Sequence, residues 1–521
     1  MSFDPTRQPR VRRNDWGPVQ VPGLGQWEPT LSCSVVIPAY RAEKLLPYVL
    51  AGLAAQSYPS HLLEVVVADD GAEPPLVLPE VRPENTRIAR VARSWGRANA
   101  CHTGALAAEG DVIHWLDSDM LVFREHIEAQ LRWHHVLDHA VVLGYKRFVE
   151  PASIHDRSPA DVRDLVAAGN AEAVFAGLSH DPHDWVEEWY DRTDDLRTAG
   201  PRALRTHVGA TASIRRSLYD AAGGMDVRLK LGEDTDLGYR LGEAGGVFIP
   251  DRDARSWHLG ASHVMTRGGD VNRYNDPFLA NRVPEVRSKR RAVGRMYDVP
   301  YVEVVLDVTS LPYDDVVVLV DLVLQSQVPD LVVTLVGPWS TLDDARRSPL
   351  DDPQLDLRLA AEMFRAEARV QLVDVLDPGR SPAMFRITLP GASYGPRPKA
   401  LGGQLFEMER THHGLRLVEL PDGTSVRFER TAAVERAKLV GRPGEHRDAL
   451  LDALFGAWTV EAAEGGFIPL AASDQKWIVG VGGAAVEPDR EKSATSGGRI
   501  ETRVETPAPK QGLFQRRPKP R

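Results

Sequence analysis

The sequence predicts an α/β protein made of two similar units, each a doubly wound, mainly parallel sheet with helices on both faces. The predicted strands are continuous apolar runs, which is typical of parallel strands that are covered on both faces. Segments with helical spacing separate these runs. The pattern starts again near residue 300, and 521 residues exceed what one hydrophobic core usually supports. We therefore expect two α/β domains.

The first unit follows an arm, residues 1–30, which is rich in Pro, Arg and Gly and is predicted to be irregular. Its strands are short apolar runs that end at polar or turn residues. In chain order the elements are a strand at SVVIP, a helix at EKLLPYVLAGLAAQ, strands at LLEVVVADDG and RIARVARS, a helix at RANACHTGALAAEG, and a strand at DVIHWLDSD. This alternation predicts a doubly wound domain over residues 31–285.

Two segments are predicted to lie outside the α/β units. The basic run RSKRRAVGR marks residues 286–299, which we interpret as a solvated linker. Residues 486–521 are charged and rich in Ser, Thr, Gly, Pro and Lys, and we expect a disordered tail. The second unit is thereby limited to residues 300–485.

The second unit resembles a worn copy of the first. YVEVVLDV and the following helix and strand repeat the course of the segment that begins with CSVVIPAY. TASIRR at Thr211 matches TAAVER at Thr431, and EAGGVFIP ending at Pro250 matches EGGFIP ending at Pro469. Chance similarity between apolar patterns is the alternative, but three landmarks in one order favour a duplication.

Composition excludes several classes of protein. A net charge of −10 argues against nucleic acid as the main partner and against docking on anionic membranes. The two cysteines, Cys33 and Cys101, lack the close partners that a zinc site or disulfide framework needs, so a reducing compartment is expected. The N-terminus has no apolar signal segment, and the longest apolar stretch, residues 316–324, is too short to be transmembrane. We expect a soluble, cytoplasmic protein.

The run LDSDM places two acids at the end of a predicted buried strand. Side chains alternate along a strand, so Asp117 and Asp119 point the same way, into the crevice at the carboxyl ends of the strands. Two carboxylates there repel each other unless a cation such as Mg²⁺ or Mn²⁺ lies between them, and such an ion also binds phosphate oxygens. An ordinary Asp turn or cap is the alternative interpretation.

Two further acidic runs fit the same crevice. In ADDG, Asp69 and Asp70 end another strand, where a carboxylate can bind a ribose or a base, although an Asp-Gly turn explains them as well. In LGEDTDLGYRL, Glu233 and Asp234 fall at a predicted helix start, where acids also favour the helix dipole. Free N–H groups there keep a carboxylate ionised, as a general base must be.

Together, VVIPAY, ADDG, GRANACHTGALAAEGDVIHWLDSD and GEDTDLGYRL resemble family-2 glycosyltransferases of the GT-A fold, in order and in spacing, over residues 31–265. GGMDVRLKLGEDTDLGYRL is also similar to the matching segment of galactosyl- and N-acetylgalactosaminyltransferases. The resemblance implies transfer of a sugar from a nucleotide diphosphate donor to a hydroxyl on a glycan, lipid-linked or small-molecule acceptor. UDP-linked sugars are the first donors that it suggests. It also implies a divalent cation, Mn²⁺ or Mg²⁺, and inversion of configuration. A homo-oligomer is compatible with it.

The resemblance also implies roles for individual residues. Asp70, with Asp69 beside it, would hold the nucleoside, and Pro38 and Tyr40 would flank the base. The metal and donor phosphates would be bound by Asp117, Asp119 and His258, the last of which has a structural role as its alternative. Asp234 would be the catalytic base and Glu233 would orient it or the acceptor. One departure is that Cys101 and His102 stand where family members often carry Arg-Asn.

The second unit is predicted to be a non-catalytic pseudo-domain. Gly391 and Ser393 align with Asp117 and Asp119, and the position of the predicted base falls at Asp452 and Ala453. Two other functions remain open for the whole chain. One is a non-catalytic nucleotide-sugar or glycan-binding scaffold, and the other is a sugar nucleotidyltransferase, although AYRAEKLL lacks the Gly-rich phosphate loop that such an enzyme would need.

Overall fold

A computed structural model of the chain describes residues 8–292 and 294–470. The predicted tail, residues 486–521, lies outside the described residues, as do residues 471–485 of the predicted second domain. Within the described part, no helix is long and apolar enough to cross a membrane. Both cysteines are buried and free.

The described residues form strands and α-helices in a mostly alternating order, joined by short 3₁₀ turns. The strands are β1 Cys33–Ala39, β2 Leu63–Asp69, β3 Thr86–Arg90, β4 Val112–Leu116, β5 Met120–Val122, β6 Ala140–Val149, β7 His180–Pro182, β8 Thr211–Arg215, β9 Val247–Leu259, β10 Val302–Asp307, β11 Leu331–Val336, β12 Val370–Val373, β13 Phe385–Leu389, β14 Tyr394–Pro396, β15 Leu415–Glu419, β16 Ser425–Arg430, β17 Ala457–Glu461 and β18 Phe467–Pro469. The helices are α1 Leu46–Leu53, α2 Arg97–Ala107, α3 His126–His134, α4 Pro159–Ala167, α5 Asp184–Arg192, α6 Arg216–Ala221, α7 Glu233–Glu243, α8 His263–Arg282, α9 Tyr313–Leu324, α10 Leu355–Phe364, α11 Ala400–Thr411, α12 Thr431–Val440, α13 Arg447–Phe455 and α14 Ala462–Gly465.

The first sheet has the strand order β3-β2-β1-β4-β8-β6-β9-β5, with β7 paired to β6. Strands β3, β2, β1 and β4 are parallel, and β8 joins them antiparallel. The predicted α/β fold with a parallel core is therefore confirmed. Because β1, β2 and β4 run in one direction, the loops after them all meet at the same edge of the sheet.

Both faces of β1 are buried, which explains its continuous apolar sequence. Val35 and Ile37 pack into the cluster that includes α1, whereas Val36 packs on the other face against Cys101 of α2. The helix lies so close that a Cβ at Gly104 would stand 2.4 Å from Val36 Cγ1. Gly104 is thus required by the packing of α2 on the sheet.

The second sheet repeats the first strand by strand. Its order, β12-β11-β10-β13-β16-β15-β17, matches β3-β2-β1-β4-β8-β6-β9, and each corresponding pair has the same direction. The β14–β18 pair corresponds to β5 with the end of β9, since both are antiparallel. The predicted second α/β unit is confirmed, and its topology is that of the first.

Two of the three sequence landmarks for the duplication are out of register. TASIR is strand β8, whereas TAAVER begins helix α12, so the true counterpart of β8 is β16. VFIP begins β9, whereas FIP at Pro469 is β18, which corresponds to the end of β9. Short runs of small and apolar residues occur in both helices and strands. The matches between TASIRR and TAAVER and between VFIP and FIP therefore identified similar patterns and not equivalent positions.

The arm and the basic segment are both packed against the units. The described part of the arm, residues 8–30, contains no helix or strand, but Asn14 bonds to Phe248 and to Leu196 O, and the Arg13 N–H donates to Leu454 O. In the basic segment the prediction of a solvated linker is wrong for Arg290, which is 4% exposed and bonds to Asp330 at 2.6 Å. Charge alone therefore did not indicate exposure here.

Candidate active site

Asp70 lies just after β2 and faces the crevice at the carboxyl ends of the strands. Its N–H donates to Ala39 O, and its Oδ2 accepts from the Gly96 N–H at 2.7 Å. The other oxygen, Oδ1, is buried and has no hydrogen-bond partner among the described residues. Burial raises the pKa of Asp70, and the Gly96 bond opposes that rise. Asp70 therefore presents one unused acceptor.

Asp69, the other acid of this run, has a different position. It is 1% exposed, and its Oδ1 accepts from the Ala72 N–H at 2.8 Å, which shapes the loop after β2. Asp69 therefore stabilises the loop after β2, whereas Asp70 faces the crevice.

Two aromatic side chains stand on either side of Asp70. Tyr40, one residue after the Ala39 carbonyl, is 55% exposed, and Trp95, one residue before Gly96, is 63% exposed. Pro38 is partly buried in β1. Lys230 Nζ lies 4.9 Å from the centre of the Trp95 ring and donates to Ser94 Oγ. Trp95 and Lys230 were not predicted from the sequence.

Arg97, the first residue of α2, connects two of the three acidic runs. Its Nε donates to Asp117 Oδ1 at 2.9 Å, and its Nη1 donates to Glu233 Oε1 at 2.9 Å. Its Nη2 donates to Gly209 O. The preceding residue, Gly96, bonds to Asp70. Asp117 and Glu233 are thus held by one guanidinium, and Asp70 is held by the backbone N–H of the residue before it.

Asp234 follows Glu233 in the first turn of α7. Its Oδ1 accepts from the Thr235 N–H at 2.7 Å and its Oδ2 from the Gly209 N–H at 3.1 Å. His207 Nδ1 donates to the Asp234 carbonyl at 2.8 Å. These bonds fix the carboxylate beside Glu233, whose pKa is raised by burial, an effect that Arg97 opposes.

Asp119 and His258 face each other at the end of β5 and β9. The pairing of Met120 with His258 brings His258 Nε2 to 4.0 Å from Asp119 Oδ1. His258 Nδ1 must carry a proton, because it lies 2.9 Å from the Gly260 carbonyl, which can only accept. In the neutral form of the ring, this bond leaves the Nε2 lone pair facing Asp119, as in a metal ligand.

Asp119 Oδ1 is buried and has no hydrogen-bond partner among the described residues. Burial raises the pKa of its carboxyl, and His258 opposes the rise. Asp117 differs from Asp119 because its Oδ1 is already bound by Arg97. In the described part of the chain no group of three His, Cys, Asp or Glu is arranged to hold a metal. Asp119 and His258 could be two ligands of a cation. Its remaining ligands would then come from water or from a bound molecule.

Lys146 is a buried cation in the same crevice that was not predicted. It is 6% exposed, and burial lowers the pKa of its amine to about 8, while Asp117 and Asp234 act in the opposite direction. Lys146 and Phe148 lie on the same face of β6, because side chains alternate along a strand. Phe148 contacts the His258 ring. The lone Lys at an inward position of YKRFV is the signal that would have identified it.

In the described part of the second unit, other residues take the positions of these groups. Tyr394 pairs with Pro469 as Met120 pairs with His258, so Ser393 and Pro469 occupy the positions of Asp119 and His258. By the same pairing logic, Gly337 and Pro338 occupy the positions of Asp69 and Asp70. The alignment of Asp452 with the predicted base is wrong, because α13, the counterpart of α7, begins earlier.

The acid at the start of α13 is Asp448, which is already paired. Its Oδ1 lies 2.6 Å from Arg427 Nη2, and its Oδ2 accepts from Nη1 at 2.9 Å. A bidentate pair of this kind leaves the carboxylate poorly placed to accept a proton from a substrate.

Part of the chain is similar to known glycosyltransferases. Residues 34–221 match the model of the family described as glycosyl transferase family 2. The chain is 26% identical over 295 residues to the uncharacterized glycosyltransferase YfnE of Bacillus subtilis (strain 168), covering 50% of this chain and 72% of that protein. It is 27% identical over 265 residues to validoxylamine A glucosyltransferase of Streptomyces hygroscopicus subsp. limoneus, covering 48% of this chain and 56% of that protein.

Among solved structures, the mannosyltransferase PcManGT of Pyrobaculum calidifontis, in complex with GDP-Man and Mn²⁺, is 17% identical. The match covers 56% of this chain and 66% of that one, with a TM-score of 0.32. The chain thus spans less than two thirds of this structure and of the second relative.

Proposed function

We propose that this chain, whose residues 34–221 match the family described as glycosyl transferase family 2, is a glycosyltransferase that transfers a sugar from a nucleoside diphosphate donor to a hydroxyl group with inversion. The proposal is supported by the contacts that link the acids to one crevice: Asp70 bonds to Gly96 next to Arg97, Asp234 and Arg97 both bond to Gly209, and Asp119 faces His258. Two of these acids, Asp70 and Asp119, present buried oxygens that have no partner among the described residues. Buried acceptors usually have a hydrogen-bond partner, and a bound ligand would supply one here.

In the proposed complex the nucleoside lies against Asp70. Its free Oδ1 accepts a hydrogen bond from a ribose hydroxyl or a base N–H, and Tyr40 and Trp95 cover the base. UDP-linked galactose and N-acetylgalactosamine are the first donors to test, because the segment that contains Glu233 and Asp234 resembles enzymes that use these sugars. The acceptor is a hydroxyl of a glycan, a lipid-linked sugar or a small molecule.

Asp119 and His258 would hold a divalent cation, Mn²⁺ or Mg²⁺. The fit rests on the unpartnered Asp119 Oδ1 and on the lone pair that His258 Nε2 directs towards it. When bound, such a cation neutralises charge on the diphosphate as it departs. Two protein ligands leave the remaining positions for phosphate oxygens and water, as is common for Mg²⁺.

Asp234 is the proposed general base. The acceptor oxygen attacks the anomeric carbon and gives its proton to the Asp234 carboxylate, while the bond from that carbon to the diphosphate oxygen breaks. Attack opposite the leaving group inverts the configuration. Glu233, tied to Arg97, is a positioning residue that keeps Asp234 and Asp117 at fixed distances.

We further infer that the second unit, over residues 300–485, is a pseudo-domain. Ser393, Pro469 and Pro338 replace the acids and the histidine that the first unit uses, and Asp448 is bound by Arg427. This unit therefore serves structure, acceptor binding or association with another copy.

A donor screen tests the proposed function. The purified chain is incubated with UDP- and GDP-sugars, with Mn²⁺ or with EDTA, and released nucleoside diphosphate is measured. We expect cation-dependent release that Asp119→Ala abolishes and that the exposed-site control Asp164→Ala retains. Absence of turnover and of binding for every donor, in the presence of Mn²⁺, would contradict the proposal.

A further inference from the structure

Lys146 stands out among the polar residues of the crevice because its ammonium group has no direct bonding partner. It is 6% exposed, and its Nζ has neither an ion pair nor a hydrogen bond to any residue of the described chain. Removing an ammonium from water is costly unless an anion or a set of acceptors replaces the water. The folded chain therefore holds a cation in place without a protein partner.

The two acids whose charges act on Lys146 already bind other groups. Asp117 and Asp234 both stabilise the charge of Lys146. However, Asp117 Oδ1 is bound by Arg97, and Asp234 accepts from the backbone N–H groups of Gly209 and Thr235. Neither carboxylate lies within ion-pair distance of Lys146, so the position opposite the ammonium is available to another anion.

The direction of the side chain follows from the register of β6. Lys146 pairs with Ser256 and Phe148 pairs with His258 on β9, so Lys146 lies on the sheet face that carries His258. The Phe148 and His258 rings contact each other at 4.7 Å, and Lys146 acts electrostatically on His183 in the same region. Lys146 thus lies on the sheet face that carries His258, within electrostatic range of Asp117 and Asp234.

We propose that Lys146 binds a phosphate oxygen of the donor diphosphate, as a second cationic contact beside the Asp119–His258 site. The inference rests on the proposed function, which places a diphosphate between the nucleoside at Asp70 and the sugar at Asp234. An ammonium with three donors is well suited to an oxyanion, and the bond is charge-assisted. Diphosphate binding therefore retains a component that does not depend on a divalent cation.

Titration calorimetry with inorganic pyrophosphate, UDP and uridine, each in EDTA and in Mn²⁺, tests this role. We expect Lys146→Met to weaken pyrophosphate and UDP binding at least about tenfold in EDTA, the loss of one charge-assisted bond, and to leave uridine binding unchanged. Arg147→Met is the matched control, because it removes a cation from the same strand but from the opposite face, and it should retain all affinities.

Lys146→Gln serves as a second variant, and thermal unfolding verifies that both variants fold. Equal pyrophosphate and UDP affinities in wild type and variants, or no measurable binding of either by the wild type, would overturn the proposal. So would a defect that appears only with an acidic acceptor, since Lys146 would then bind the acceptor. If the Lys146-dependent affinity is found but no nucleotide sugar is consumed, the proposed function fails while the anion site stands.

Discussion

Replacing Arg97 with Met removes the one side chain that connects two acidic runs of the crevice. Arg97 bonds to Glu233 and Asp117 at 2.9 Å and also donates to Gly209 O. The Glu233 side chain is 6% exposed, so the substitution leaves a buried charge without its partner. Breaking a buried pair in this way costs about 3–5 kcal/mol. The Asp117 side chain is 25% exposed, and its share is smaller, about 0.5–1 kcal/mol.

The loss should depend on pH with a defined sign. Burial raises the pKa of Glu233 and Arg97 opposes that rise, so removing Arg97 moves the folded-state pKa further above the unfolded value. A carboxyl with a raised folded pKa takes up protons on folding, which means that the variant gains stability as the pH falls towards that pKa. The deficit of Arg97→Met relative to wild type should therefore shrink between pH 7.5 and pH 5.

Urea unfolding of four proteins forms a double-mutant cycle: wild type, Arg97→Met, Glu233→Gln and the double variant. We expect the double variant to recover about 2 kcal/mol relative to the sum of the single losses, because it no longer buries an unpaired charge. A deficit below about 1 kcal/mol for Arg97→Met, or additive losses at every pH, would refute the assigned role of Arg97.

Three other substitutions give independent tests. Asp234→Asn should retain donor affinity but lower kcat by about 10²- to 10⁴-fold, and unchanged turnover in a steady-state assay would remove Asp234 as the base. His126 is buried, which lowers its pKa to about 4, so that below pH 6.5 the unfolded chain binds a proton there before the folded chain does. This difference lowers the free energy of unfolding by about 2 kcal/mol at pH 5. His126→Gln should therefore flatten the dependence of the urea midpoint on pH between 7.5 and 5, and an unchanged dependence would contradict the assignment. Gly104→Ala should lower stability by about 1–3 kcal/mol because its Cβ meets Val36, whereas Gly403→Ala, which meets nothing within 4 Å, should be neutral or stabilising in the same thermal-unfolding assay; equal effects would contradict the packing argument.

Local sequence patterns were sufficient for the fold and for the acids at strand ends. Continuous apolar runs identified the parallel strands, and the carboxyl ends of those strands placed Asp70 and Asp119 at one edge of the sheet. Asp234 was predicted from the start of α7, where Gly232 adopts a left-handed φ of 77° and turns the chain into the helix. Each of these depends on residues that are close in sequence.

The groups that connect the site could not be predicted in the same way. Arg97 pairs with Glu233, which is 136 positions away. The YKRFV pattern indicates that Lys146 faces inward, but it does not indicate which acids act on its charge. Similarly, Arg290 belongs to a basic run but is buried against Asp330. Such contacts depend on how distant elements pack, and a single sequence does not contain that information.

The central claim is that a donor diphosphate and a divalent cation bind together where Asp70, Asp119 and Asp234 meet. A crystal structure of the chain with UDP and Mn²⁺, with anomalous diffraction to locate the metal, tests it most directly. We predict manganese between Asp119 Oδ1 and His258 Nε2, with the nucleoside against Asp70. Manganese and UDP bound at another surface, or UDP bound in the crevice of the second unit, would contradict the account.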